Sequence, residues 1–75
     1  MIIISQNNKI IANLDNLKTI EIQHIGGKFT ISAYLQKNKY IILAEYEKEQ
    51  KAIEILKELI NANVVNYKTY LLPKE

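Results

Sequence analysis

Between Tyr40 and Ala62 the apolar residues change period, and this change constrains the fold more than any other feature of the chain. Tyr40–Tyr46, Tyr-Ile-Ile-Leu-Ala-Glu-Tyr, is rich in β-branched and aromatic residues, as a strand requires. From Glu47 onward the spacing becomes helical. Ala52, Ile53, Leu56, Leu59 and Ile60 recur at i, i+1, i+4, i+7 and i+8, which is one stripe of an amphipathic helix. A strand that passes directly into such a helix calls for an α+β domain, with the helix laid across a sheet.

Simple alternation places Tyr40, Ile42, Ala44 and Tyr46 on one face of that strand and Ile41 and Leu43 on the other. Both faces are then apolar, so the strand is either covered twice or leaves one apolar face open. The helix is read as starting at Glu47 with a weak cap, since no Asp, Ser or Thr stands at the boundary. Glu47 and Glu49 partly offset this through the helix dipole. Ile55 falls off the stripe, and Asn61 and Asn63 mark the stop, because asparagine accepts the left-handed conformation of a helix end.

Upstream, Met1–Ser5 and Lys9–Leu14 read as two short strands around the turn residues Gln6-Asn7-Asn8. Asp15-Asn16 signals another turn, and Leu17–Ile25 alternates as a half-buried strand. Gly26-Gly27 supplies a two-residue hairpin turn. Lys28–Gln36 follows as the most regular strand, with Phe29, Ile31, Ala33 and Leu35 on one face and Thr30, Ser32 and Tyr34 on the other. Lys37-Asn38-Lys39 is a short loop. After the helix, Val65–Leu71 reads as a last strand, with Pro73 ending its pairing. The order is β-β-β-β-β-α-β. The expected fold is an antiparallel sheet or half-barrel of five to six strands with one amphipathic helix packed on it, a single domain over residues 1–75.

At 75 residues the core is small, and domains of this size usually add disulfides, a metal or a partner subunit. The chain has no cysteine, and its single histidine, His24, does not make a transition-metal cluster. Self-association is the staple that remains. The apolar start Met1–Ile4 is far shorter than a membrane span and has no basic region before it, so the expected location is the cytoplasm. The net charge of +2 rests on ten lysines and no arginine. Lysine, isoleucine, asparagine and tyrosine share A/T-rich codons, so genome composition accounts for the basic balance without a polyanionic partner.

Catalytic chemistry has little to stand on. His24 has no cysteine or aspartate partner, and Ser5 and Ser32 stand in strands without a strand-to-helix elbow. Glu45 and Glu47 flank a junction with no long loop to build a cleft around them, so they read as exposed charges. His24 reads as a strand-end residue whose ring packs at the sheet rim, with a bulge there turning Ile25 inward. Gly26-Gly27-Lys28 precedes a strand, so no helix N-terminus is available for phosphate. The reading is a non-enzyme without metal or cofactor.

The tyrosines are the more suggestive signal. Tyr34, Tyr40 and Tyr46 fall in adjacent strands, and Tyr34 and Tyr40 pair if the hairpin brings them together. Tyrosine is enriched at protein interfaces. The interface candidates are therefore Tyr34, Tyr40, Ile42, Tyr46 and Tyr67. Tyrosines beside Lys28, Lys37 and Lys39 also describe a platform for single-stranded nucleic acid, which is the alternative. A small-molecule module with its pocket under the helix is a third reading.

Two segments also carry a resemblance. They are Met-Ile-Ile-Ile-Ser-Gln-Asn-Asn-Lys-Ile-Ile-Ala-Asn-Leu-Asp-Asn-Leu at the start and Ile-Ile-Leu-Ala-Glu-Tyr-Glu-Lys-Glu-Gln-Lys-Ala-Ile-Glu-Ile-Leu at the strand–helix junction. Over roughly Met1–Leu59 the chain resembles small uncharacterised β-rich proteins with a C-terminal helix from low-GC Gram-positive bacteria and their phages. Those proteins often have Asp or Thr before the helix, where Glu47-Lys48 stands here. The resemblance implies a β-rich fold like a pleckstrin-homology-type half-barrel and a bacterial or mobile-element origin, and it brings no activity. The resulting expectation is a small interaction or regulatory protein. It acts as a homodimer through a sheet face bearing apolar residues and tyrosines, with another protein as a further partner and no membrane association.

Overall fold

The computed structural model describes residues 1–75. Its elements are β1 (Ile2–Ile4), β2 (Ile11–Asn13), a 3-10 turn (Leu14–Asn16), β3 (Thr19–Ile25), β4 (Lys28–Gln36), β5 (Lys39–Tyr46), α1 (Glu49–Val64) and β6 (Thr69–Leu71). The class is α+β, but the strands form two three-stranded sheets where one sheet of five to six was expected. The first has the order β2-β1-β6 and the second β3-β4-β5. The last strand is not antiparallel: β6 runs parallel to β1, with Ile3 opposite Tyr70. The reason is the length of the strands. Three-residue strands at the termini close a small sheet of their own on the flank of the long meander.

Local chemistry explains the turns. Gly26 and Gly27 both take positive φ, at 58° and 79°, the pair that a type I′ hairpin turn demands. Asn8 takes φ 63° in the β1–β2 turn, where the Asn7 side chain accepts from the Ser5 hydroxyl at 2.7 Å and the Lys9 N–H at 3.0 Å. The helix begins two residues later than expected, with Lys48 at its N-cap and no side chain bonding there. Its end also comes later. Asn66, at φ 65°, is the left-handed residue, and Tyr67 N–H to Ala62 C=O with Asn66 N–H to Asn63 C=O makes a Schellman motif. The helix therefore takes in Val64, and the final strand shortens to Thr69–Leu71.

The buried stripe of α1 is Ala52, Ile55, Leu59 and Ala62. It is rotated from the expected one. Ile55 is 2% exposed and Ile60 57%. Ala52 and Ala62, one at each end of the stripe, let the helix backbone approach the sheet, and that approach selects the face carrying Ile55.

The second sheet contains the decisive irregularity. Ile31 pairs with Ala44 and Ser32 with Ile42, so Leu43 is an extra residue, a β-bulge. Alternation restarts across it. Ile41, Leu43, Ala44 and Tyr46 all turn toward the helix, while Tyr40, Ile42 and Glu45 turn away. A second shift between Tyr34 and Gln36 displaces Leu35 from the core row and leaves it exposed. The core is built from Ile31, Ala33, Leu43, Ala44 and Tyr46 of this sheet, Ala52, Ile55 and Leu59 of the helix, and Ile3 and Leu72. Each fully buried aliphatic side chain contributes roughly 1.5–3 kcal/mol.

Gln6 joins the two sheets. Its N–H donates to the Leu43 carbonyl at 2.8 Å, its Nε2 donates to the Glu45 carbonyl at 3.1 Å, and its Oε1 accepts the Glu45 N–H at 2.9 Å. The side-chain amide pairs with the outer edge of β5 as another strand would, which satisfies backbone groups that would otherwise stay open.

Candidate interaction surface

The register of β3, β4 and β5 sets out the face turned away from the helix as rows. Thr19, Tyr34 and Tyr40 form one, and Glu21, Ser32 and Ile42 the next. Gln23, Thr30 and Glu45 follow, and Ile25 and Lys28 continue toward Glu47. No element of the chain lies over this face. Its floor is nevertheless dry, because Thr30 and Ser32 are fully buried beneath their neighbours. The small residues of the central strand lie between the longer side chains of the outer ones.

A hydrogen-bond network holds these side chains. The Gln23 Nε2 donates to the Tyr34 hydroxyl at 2.8 Å and to Glu21 Oε1 at 3.1 Å. The Ser32 hydroxyl donates to Gln23 Oε1 at 3.0 Å, and the Thr30 and Ser32 hydroxyls stand 3.1 Å apart. Thr30 Oγ1 also donates to the Gln23 carbonyl at 3.2 Å. No buried side-chain polar atom lacks a partner, so the face is pre-formed. Burial, and after it the nearby Glu21 carboxylate, holds the Tyr34 hydroxyl above the ordinary tyrosine range. The Tyr34 and Tyr40 rings lie 5.3 Å apart at 37°, a tilted aromatic pair.

Of the five sequence candidates, Tyr34, Tyr40 and Ile42 come together on this face. Tyr40 is 46% exposed and Ile42 37%. Tyr46 does not join them. The bulge carries it to the opposite face, where it is fully buried and donates its hydroxyl to the Pro73 carbonyl at 2.7 Å. Tyr67 is exposed in the connection between α1 and β6 and is not part of the face. The polar members Glu21, Gln23, Thr30 and Ser32 are not singled out by the sequence. Their alternation with Ile20, Ile22, Ile31 and Ala33 marks them as outward-facing, but only the strand pairing brings them into one network.

The remaining candidates are accounted for elsewhere. His24 stacks on Phe29 with ring centroids 4.4 Å apart and planes within 6°. The β3–β4 pairing continues without a bulge to Ile25, which stays exposed opposite Lys28. Glu47 pairs with Lys28 at 3.7 Å and donates its N–H to the Glu75 carboxylate at 2.8 Å. No group of three or more His, Asp or Glu side chains is placed to hold a metal ion, and no helix is long and apolar enough to cross a membrane.

Two other surfaces have a shape of their own. An apolar cleft of about 400 Å³ opens between the C-terminal half of α1 and the β2–β3 connection, lined by Leu14, Leu17, Ile20, Leu56, Leu59, Ile60 and Asn63. On the outer side of the first sheet, Ile11, Ile4 and Leu71 form one cross-strand row. The fold and the open face define a small α+β domain with a pre-formed, mixed aromatic and polar surface. Comparison of the chain with protein-family models, curated proteins and solved structures finds no match.

Proposed function

We propose that this protein is a non-enzymatic interaction module that associates with itself through the open face of the second sheet. One observation carries the reading. The bulge at Leu43 sends Leu43, Ala44 and Tyr46 to the core and leaves Tyr34, Tyr40 and Ile42 together on a rigid face that no other element covers. Aromatic anchors set among satisfied polar groups are what a protein interface uses, and tyrosine is favoured there. The small core supports the same reading, since eleven large apolar residues remain exposed beside eleven buried apolar ones.

Sedimentation equilibrium tests it. The wild-type chain is expected to move from monomer to dimer as concentration rises. Ile42→Glu is expected to weaken the dimer by about tenfold or more, with an unchanged circular dichroism spectrum. A monomer mass at every concentration removes the proposal.

A single-stranded nucleic-acid platform is less well supported, because Glu21 and Glu45 share the face with the tyrosines and repel phosphate. The apolar cleft supports a second reading as a small-molecule site. Its volume of about 400 Å³ and its single polar residue, Asn63, suit a compact neutral apolar ligand. A rise in melting temperature in a screen of such compounds, lost on Leu56→Glu, is the outcome that reading expects.

A further inference from the structure

The charges on the open face are sorted by end, and this sorting selects how two copies would meet. At the β4–β5 turn, Lys18 and Lys37 border Tyr34 and Thr19 in a shallow depression that also includes Glu21 and Gln36. Two lysines thus border the Tyr34–Tyr40 row. At the other end Lys28 is engaged by Glu47 at 3.7 Å, and the exposed Glu45 carboxylate has no ion-pair partner. One end is basic, and the other keeps an acid free.

A dimer with two-fold symmetry buries the same patch from both chains. Two aligned sheets packing face to face have two such arrangements. With the axis along the strands, like ends meet and β5 of one copy lies over β3 of the other, so the lysines of one copy lie over those of the other and Glu45 lies over Gln23, its neighbour in the same row. With the axis across the strands the ends exchange, and each basic end lies over the other copy's Glu45. The register makes this second arrangement specific. Tyr40 and Glu45 occupy the rows on either side of the Ile42 row on the same strand. An axis through that row sets Ile42 against its counterpart and each Tyr40 hydroxyl against the other copy's Glu45 carboxylate. Glu21 belongs to the same row on β3 and faces its own counterpart across the axis, where Lys18 and Lys37, which line the same depression, offset its charge.

Resting on the reading that this face self-associates, we propose that the two copies pack in the end-exchanged arrangement, with the tyrosine–lysine end of each over the Glu45 end of the other. A polyanion would find only half of such a face favourable, whereas a second copy turned end for end satisfies both halves.

The chain has no cysteine, so engineered cysteines report the arrangement directly. Ile42→Cys is expected to cross-link to itself under mild oxidation. Tyr40→Cys mixed with Glu45→Cys is expected to give the mixed disulfide, with little homodimer of either. A mixed disulfide of Tyr40→Cys with Thr19→Cys, and none with Glu45→Cys, would overturn the arrangement while leaving self-association through this face intact. Absence of an Ile42→Cys cross-link together with a concentration-independent monomer mass overturns both. Salt gives a reading on the unmodified chain. The end-exchanged dimer loses affinity several-fold as sodium chloride screens its opposed charges, whereas the like-ended one tightens.

Discussion

Tyr46 shows how one side chain can serve the core and a polar joint together. Its ring is fully buried against the helix while its hydroxyl donates to the Pro73 carbonyl at 2.7 Å, beside the Gln6 amide that donates to the same carbonyl at 3.3 Å. Burial first, and then the charges of Glu75 and Glu58, push the Tyr46 hydroxyl up to about 12. The sign of the linkage follows. An acid whose folded pKa is raised gives its full stabilisation below the ordinary tyrosine pKa of about 10 and loses it as pH climbs toward the folded value. Tyr46→Phe is expected to cost about 1 kcal/mol at neutral pH through the lost hydrogen bond. It should also reduce the fall in stability between about pH 10 and 12, as followed by denaturant titration and tyrosinate absorbance. Tyr70 contributes in the same direction, since burial and the hydrogen bond with Glu58 raise it too. Nothing local to Glu45-Tyr46-Glu47 distinguishes this tyrosine from Tyr40. The inserted Leu43 does, and a bulge inside an unbroken apolar run such as Ile41–Ala44 leaves no mark in the pattern, because every residue there suits either face.

The elements differ in how far their own residues specify them. Lys28–Gln36 runs between the very bounds that its alternation marks, and the Gly26-Gly27 turn takes the conformation its glycines favour. Local terms decide both. The helix is different. Its period is plain, but the choice between neighbouring stripes depends on what lies beneath. Ile53, Leu56 and Ile60 make as good a stripe on a helical wheel as Ala52, Ile55 and Leu59. The sheet chooses the second, since alanine at positions 52 and 62 permits close approach. Ile55→Ala is therefore expected to cost about 2–5 kcal/mol and Ile60→Ala under about 1 kcal/mol, measured by urea unfolding. The reverse order would restore the stripe read from spacing alone. The helix end shows the same dependence: Asn61, Asn63 and Asn66 are chemically equivalent stops, and docking of β6 beside β1 selects Asn66.

At the scale of the molecule, a chain this short keeps a modest core, and coupling of folding to association is the expected consequence of the proposed dimer. Its melting temperature should rise with protein concentration by roughly 3–6 °C per tenfold, and this dependence should vanish in Ile42→Glu. Scanning calorimetry at several concentrations measures it. The residues alone determined the α+β class and the turns and strand–helix order of the central chain. Those outcomes follow from backbone preference and side-chain period, which act over a few residues. The partition into two sheets, the parallel return of β6, the burial of Tyr46 and the polar network of Gln23 were decided by tertiary structure. Each depends on pairing between distant strands, where one extra residue exchanges the faces of all that follow, and packing decides whether that residue is accommodated.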